Sequence, residues 1–257
     1  MSPALISLSV VSHGHRGHIA LLLADLARLG RTDIEVILTV NLPESFDDLL
    51  ADLPFPVVVV NNPEPKGFAA NQNAAVAHAR GQWFVVLNPD IRFHDDPFDA
   101  LLEVSRMAPP AIVAPQIVNA QGQEEDSARH FPSPLQPFKR YLARLFGVHL
   151  ANDSIPTRGQ VAYPDWVAGM FMMLPKTMME QLGGLDERYR MYYEDVDLCA
   201  RARLAGHEVR VARAIPVEHN AQRDSHRKLR YLRWHVSSVI RFFTSPAYRS
   251  LRQQRTR

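Results

Sequence analysis

The sequence predicts an α/β fold, with a doubly wound, Rossmann-like parallel sheet, on three observations. Short apolar runs alternate with stretches of helical spacing. Each run closes in a polar or proline-containing turn, and the connections between elements are short. The third observation is Trp83-Phe84-Val85-Val86-Leu87-Asn88-Pro89-Asp90, an apolar run that stops at a polar triplet. Bounded by Gly81 and Pro89, it reads as a buried strand of a parallel sheet. Ligands of open α/β sheets lie just outside the carboxyl ends of the strands, so Asp90 stands where a metal or a phosphate-bearing ligand could be met.

In order, Leu5 to Ser12 reads as the first strand and ends in the polar turn Ser12-His13-Gly14-His15. Ile19 to Leu29 has helical spacing, with Gly30 as its stop. Ile34 to Val40 is a second strand closed by Asn41-Leu42-Pro43, and Glu44 to Leu53 has the pattern of a short helix. Pro56 to Val60 is a third strand, followed by Lys66-Gly67-Phe68 and an Ala-rich helix to about Arg80. Trp83 to Leu87 is the fourth strand, Pro97 to Met107 a helix, and Ala111 to Val118 a further strand. Residues 119–158 are rich in Pro, Gln, Asp and Ser with weak periodicity, and a long irregular stretch of this kind is functional or mobile. Ala162 to Leu174 is strand-like, Lys176 to Leu182 a short helix, Glu194 to Gly206 a longer one, Val209 to Ala212 a strand, and Leu229 to Phe243 a basic amphipathic helix.

The bulk properties narrow the class. With 46% apolar and 22% charged residues in 257, the chain can bury one sizeable core. The single cysteine, Cys199, excludes an internal disulfide framework and fits a reducing compartment. There is neither a signal-peptide pattern nor an apolar run long enough to span a bilayer, so a cytoplasmic location is expected. The dinucleotide fingerprint G-x-G-x-x-G after a strand and the P-loop pattern are both missing. Charge is asymmetric: residues 223–257 hold ten Lys or Arg against Asp224 alone, on an otherwise acidic body. Two readings of this tail stand open, a solvated helix with a frayed end and a patch for an anionic membrane surface. Nucleic-acid binding is not expected, because the body is acidic and the tail has few interleaved aromatics.

Three groups could carry chemistry. Asp90 is either a turn residue or a ligand at a strand end. Glu194, Asp195 and Asp197, in the first turn of a helix, either answer its dipole or, beside Met191, Tyr192 and Tyr193, become partly desolvated carboxylates of raised pKa that can act as a general base. His219 either packs structurally or completes a metal site begun by a carboxylate.

The blocks taken together, in order, resemble a known family. Lys66-Gly67-Phe68-Ala69-Ala70 with Asn73, Leu87-Asn88-Pro89-Asp90, Trp166-Val167-Ala168-Gly169, Gly183-Gly184-Leu185-Asp186-Glu187 leading to Tyr193-Glu194-Asp195-Val196-Asp197-Leu198, and Val217-Glu218-His219 are similar to the family 2 glycosyltransferases, in particular their rhamnosyltransferase-like branch. The resemblance implies a GT-A fold over residues 1–222, with a donor-nucleotide half (1–95) and an acceptor half (96–222), before a basic C-terminal helix and tail (223–257). It implies an inverting hexosyltransferase that moves a sugar, of the rhamnose type, from a nucleotide-diphosphate donor to a glycan or lipid-linked acceptor in cell-surface polysaccharide synthesis. Asp195 would be the catalytic base, with Glu194 as the alternative. Ser12, His13, Asn41, Gly67, Phe68, Asn73, Asn88 and Asp90 would line the donor side, and Trp166, Ala168 and Gly169 the acceptor side. Asp90 and His219 would hold a divalent cofactor; Mg2+ prefers oxygen ligands and Mn2+ tolerates imidazole, which favours Mn2+. Residues 119–158 would form a lid ordered by ligand, and the basic tail would hold the enzyme on the inner membrane face. The resemblance says nothing of oligomeric state.

Two positions depart from the family pattern. Val40-Asn41 stands where an Asp commonly reads the nucleobase, and Asn88 replaces the first acid of a D-x-D motif. Both favour the alternative reading, a non-catalytic nucleotide- or glycan-binding module on the same fold.

Overall fold

The computed structural model describes residues 5–133, 159–220 and 229–255. The expected lid therefore falls largely outside the described residues, in 134–158, as does 221–228 of the basic tail.

The four N-terminal strands form as read: β1 (Ile6–Ser12), β2 (Ile34–Val40), β3 (Val57–Asn61) and β4 (Trp83–Leu87). They pair in parallel in the order β3-β2-β1-β4. Between them run α1 (Arg16–Arg28), α2 (Asp47–Leu50) and α3 (Phe68–Val76). After β4 come β5 (Ile91–Arg92), α4 (Phe98–Ser105), β6 (Ala111–Val118), β7 (Ala128–Arg129), β8 (Val161–Ala162), β9 (Trp166–Val167) and β10 (Phe171–Pro175). The chain then forms α5 (Lys176–Gln181), α6 (Glu194–Leu204), β11 (Glu208–His219), α7 (Leu229–Thr244) and α8 (Pro246–Arg255).

The main sheet runs β3-β2-β1-β4-β10-β6-β11-β5, with β8 paired to β11, and β7 with β9 makes a separate two-stranded piece. The alternating faces of the strands feed two cores, as a sheet with helices on both sides requires. Leu8, Val10, Val85 and Leu87 pack with Ile19, Leu22, Leu26, Phe98 and Leu101 from α1 and α4. Ile37, Phe84 and Val86 pack with Ala69, Ala75, Met178, Val196, Leu198 and Phe242 on the other face.

The sheet departs from an all-parallel plan in its interior at β10, and at its edge through β5 and β8, both antiparallel to β11. β10 runs antiparallel to both β4 and β6, with Phe171 opposite Leu87. The carboxyl ends of β1, β2, β3, β4, β6 and β11 therefore share one edge with the amino end of β10. Ser12, Asn41, Asn88, His219 and the residues just before Phe171 are brought to that edge by topology alone.

Other differences have local causes. The helix expected from Glu44 to Leu53 shrinks to Asp47–Leu50, because the Glu44 carboxylate is spent on the Ser12 hydroxyl and on the Gly14 and Arg16 N–H groups. The apolar stretch 162–174 divides among three short strands. The strand expected at Val209–Ala212 extends to His219, with a break in register between Ala212 and Val217. Within the basic tail, Pro246–Arg255 is helical and packs on α6. Ser245 caps it, its hydroxyl accepting the Tyr248 N–H at 3.1 Å, and Pro246 takes the first helical position, where no N–H is required.

Candidate active site

At the shared edge, strand register brings Asp90 and His219 together. β5 pairs antiparallel with the end of β11, so Ile91 lies opposite His219, and the Asn220 N–H donates to the Asp90 carbonyl at 2.9 Å. Asp25 of α1 fastens this corner by accepting the Arg92 Nε at 2.6 Å and the Phe93 N–H at 3.1 Å. The His219 Nε2 lies 3.3 Å from Asp90 Oδ2, and its Nδ1 lies 2.7 Å from Glu125 Oε2. Burial disfavours a charged imidazole here, but the two carboxylates outweigh it and raise the His219 pKa to about 9. The other oxygen of Asp90, Oδ1, is buried without a protein partner.

The second pair of acids stands at the start of α6. Tyr192 and Tyr193 both adopt the left-handed region, at φ 69° and 70°, and Tyr193 is the residue from which the helix departs. Such geometry in a residue with a side chain costs about 1–3 kcal/mol and persists only where neighbours impose it. The turn delivers Asp195 to the amino end of β10: its Oδ2 accepts the Gly169 N–H at 3.0 Å and its Oδ1 the Val196 N–H at 2.8 Å. One residue on, the Met170 carbonyl accepts the Asn88 N–H at 2.9 Å. Asp195 and the Asn88-Pro89-Asp90 turn are thus joined through two consecutive residues. A Cβ on Gly169 would sit 3.5 Å from the Phe68 ring and 3.6 Å from the Asp195 Cβ, so these three meet at one point.

Burial raises the pKa of both acids. For Glu194, burial and then the charge of Asp195 raise it to about 8; for Asp195, burial outweighs the bonds from Gly169 and Val196. Glu194 is only 6% exposed and its Oε2 has no partner, whereas Asp195 keeps partial exposure. Asp195 is therefore the more accessible of the two acids. Asp197, buried, turns away to Arg201 at 2.7 Å.

The residues expected on the donor side fall into several local hydrogen-bonded groups. Asn41, at the end of β2, is fully engaged: its Nδ2 reaches His13 Nδ1 (2.9 Å) and the Lys66 carbonyl (3.1 Å), and its Oδ1 accepts the Lys66 N–H (2.8 Å) and the Asn62 Nδ2 (2.8 Å). Ser12 is buried with its hydroxyl on Glu44, while His13 is exposed. Gly67 opens α3 against the Arg190 carbonyl, 3.2 Å from where its Cβ would be. Asn73 clasps Leu185 through both backbone groups, at 2.8 Å each, and a Cβ on Gly184, already at φ 71°, would strike the Asn73 amide. On the opposite wall the Trp166 Nε1 donates to the His130 carbonyl at 3.1 Å, Arg129 lies over the Trp166 ring at 5.7 Å, and the Ala168 N–H donates to the Ser127 carbonyl at 2.8 Å.

Sequence reasoning missed Glu125, Glu44, Asn62 and Arg129. Glu125 reaches His219 because the turn at Asn119–Gln123 folds the chain back on β6, with the Glu125 N–H on the Ile117 carbonyl at 2.9 Å. The Asn119-x-x-Gly122 spacing was the available signal for that turn. Asn62 and Arg129 carry no mark in sequence, since their partners are distant in the chain.

Among the described residues no helix is long and apolar enough to cross a membrane, and no three His, Cys, Asp or Glu side chains are grouped so as to hold a metal by themselves. The structure brings Asp90 and His219 together at this edge, with Glu125 behind the imidazole.

The family model for glycosyl transferase family 2 matches residues 8–158. The rhamnosyltransferase WbbL of Escherichia coli K12 is 31% identical over 189 residues, spanning 68% of this chain and 69% of that protein. The N-acetylglucosaminyl-diphospho-decaprenol L-rhamnosyltransferase of Mycobacterium tuberculosis is 31% identical over 136 residues, spanning 48% of this chain but 42% of its own. Among solved structures, GalNAc-T7 with UDP, GalNAc and Mn2+ superposes with a TM-score of 0.66 at 13% identity, over 95% of this chain and 49% of that one. The mannosyltransferase PcManGT of Pyrobaculum calidifontis, in complex with GDP-Man and Mn2+, superposes with a TM-score of 0.63 at 14% identity, over 96% of this chain and 68% of that one. These likenesses establish the GT-A fold. The match over most of the chain and the relative that it largely spans establish the rest: the chain belongs to glycosyl transferase family 2, as a rhamnosyltransferase-like glycosyltransferase.

Proposed function

We propose that the enzyme transfers a rhamnose-type sugar, with inversion, from a nucleotide-diphosphate donor to a glycan or lipid-linked acceptor. Support for the sugar comes from the two relatives named as rhamnosyltransferases, and support for a lipid-linked acceptor from the diphospho-decaprenol in one of those names. In this reading residues 1–222 form the GT-A domain, 1–95 hold the donor and 96–222 the acceptor.

The observation that carries the mechanism is the tie from Asp195 through Gly169 and Met170 to Asn88, beside Asp90. Asp195 takes the proton from the acceptor hydroxyl as that oxygen attacks the sugar carbon. Its raised pKa makes it a stronger base than an ordinary carboxylate, and positioned bases contribute typically ~10²–10⁴-fold in rate. A single base and a single displacement invert the carbon. Glu194, buried beside Asp195, has its own pKa raised by burial and then by the charge of that neighbour. Gly67, Phe68 and Asn73 shape the donor pocket, His13 and Asn41 border the nucleobase, and Trp166, Ala168 and Gly169 form the acceptor wall.

The residues present fit a divalent ion. Asp90 offers a buried oxygen without a protein partner and His219 an imidazole, a mixed O/N set that suits Mn2+ when a diphosphate completes the shell. Bound there, the ion would neutralise negative charge on the leaving diphosphate. Both solved neighbours named above contain Mn2+. The exposed face of α7, with Val236 and Ile240 beside Arg233, suits the surface of an anionic cytoplasmic leaflet.

A thermal-shift screen of dTDP-rhamnose, UDP-sugars and GDP-mannose with Mn2+ tests the donor. Stabilisation by dTDP-rhamnose above the others, followed by metal-dependent turnover, is expected. Preference for a different sugar nucleotide overturns the rhamnose assignment, and binding of nucleotide without any turnover in the presence of acceptor extracts overturns transfer.

A further inference from the structure

α7 lies beyond the segment that the family model matches, and in sequence it reads as part of a basic tail. Its inner face nevertheless touches the turn before α6 residue by residue. Arg241 lies 6.0 Å over the Tyr189 ring, and Arg190 lies 4.9 Å over the ring of Trp234. The Ser238 hydroxyl donates to the Met191 carbonyl at 2.9 Å. The His235 ring meets Tyr192 at 5.5 Å and Tyr193 at 5.8 Å, both edge-on, and Phe242 meets Tyr193 at 5.5 Å. Five consecutive residues, 189–193, are each held by one helix, and the last two are the pair in left-handed geometry. On the other side the Arg190 carbonyl abuts Gly67 at the start of α3. The turn that aims Glu194 and Asp195 is thus gripped between α7 and the donor-side helix.

Two left-handed tyrosines in a row are not a conformation that local preference selects; packing imposes it. The packing comes from α7. We propose that α7 is a clamp for the catalytic turn, with His235 and Ser238 as positioning residues that act through Tyr192, Tyr193 and Met191 on the Asp195 and Glu194 carboxylates. The proposal rests on the reading of those acids as the catalytic pair. The ring of His235 matters for its shape and its edge contacts, not for a charge, so phenylalanine serves in its place. Loss of the clamp lets the turn relax and moves the base out of line with the acceptor oxygen, which lowers turnover while the donor pocket, which the turn borders at Gly67, keeps its other walls.

The test uses the full chain as wild type, His235→Ala, His235→Phe, Ser238→Ala and Asp195→Asn. Hydrogen–deuterium exchange is followed on the peptide spanning 189–198, together with kcat and donor KM for dTDP-rhamnose. For His235→Ala the expected result is faster exchange confined to that peptide, kcat down about tenfold or more, and donor KM within about twofold. His235→Phe restores both, and Ser238→Ala moves them the same way by less. Unchanged exchange in 189–198, a donor KM that rises in step with the fall in kcat, or a His235→Phe protein no better than His235→Ala overturns the clamp. Ser238→Ala, which removes a single hydrogen bond, carries the same readouts if His235→Ala does not fold. Full activity in Asp195→Asn, or no turnover of dTDP-rhamnose by wild type, would instead sink the catalytic or donor reading, and the exchange data would still decide the clamp.

Discussion

The Asp195 carboxylate accepts the Gly169 N–H at 3.0 Å, which fixes the first turn of α6 to the entry of β10. Asparagine in place of Asp195 can keep this contact through its carbonyl oxygen but cannot take a proton. Asp195→Asn should therefore lose about 10²–10⁴-fold in kcat with little change in donor KM. Single-turnover transfer assays check this. Glu194→Gln should lose less, and the reverse ranking would make Glu194 the base.

Glu194 gives a pH signature. Its pKa is raised from 4.5 to about 8, first by burial and then by the charge of Asp195. The folded chain holds a proton that the unfolded chain releases, so the stability due to the neutral acid is complete below about pH 4.5 and is lost as pH rises to about 8. The slope is at most about 1.4 kcal/mol per pH unit for one proton. Glu194→Gln keeps the shape without the titration. Its melting temperature should gain on wild type between pH 5 and 8. Parallel melting curves for the two proteins across that range would contradict this.

Removal of divalent ions with a chelator should abolish transfer, and Mn2+ should restore it. Asp90→Ala should not be restored at ordinary Mn2+ concentrations. Glu125, 2.7 Å from His219 Nδ1, orients the imidazole, and partners of this kind are worth about 10–100-fold in metal affinity. Glu125→Ala should raise the Mn2+ concentration for half-maximal rate by about that factor, as read from a metal titration of activity. Equal metal requirements in Glu125→Ala and wild type would leave Glu125 with no such role.

Arg210 supplies a control away from the site. It is 1% exposed, and its guanidinium donates to the carbonyls of Val104 (3.0 Å), Met107 (2.8 Å) and Pro109 (2.8 Å) after α4. Arg210→Ala leaves the buried Val104 carbonyl and the part-buried Met107 and Pro109 carbonyls without their donor, and should cost about 1–3 kcal/mol in denaturant unfolding. Well below its melting temperature the variant should transfer at the wild-type rate, because it lies near the start of β11, at the edge opposite His219.

Much of this arrangement was legible in the chain. β4 announces itself by an unbroken apolar run, and β1, β2 and β6 by apolar runs broken only by single polar residues, because burial on both faces demands it. Asp90, Asp195 and His219 stand out because polar residues at strand and helix starts are chemically conspicuous. The direction of β10 was not legible, since an apolar run carries no sign of which way it crosses the sheet. Glu44 was hidden inside a helical pattern that its tertiary bonds overrode. α8 was missed although Ser245-Pro246 is a helix-start signal, because a basic chain end invites a reading as tail. The left-handed turn at Tyr192 and Tyr193 could not have been read at all, since its cause lies more than 40 residues away in α7.

The reversed course of β10 separates two kinds of change in the enzyme. Each parallel strand reaches the cleft as it leaves the sheet, so the loops it launches are followed by helices that must still cover a face. β10 reaches the cleft before it enters the sheet, and Trp166, Ala168 and Gly169 lie in that approach. On the reading proposed above, substitutions at Trp166 or Ala168 would redraw the acceptor wall without disturbing the order of any later strand, whereas Gly169 is bound by its contact with Asp195.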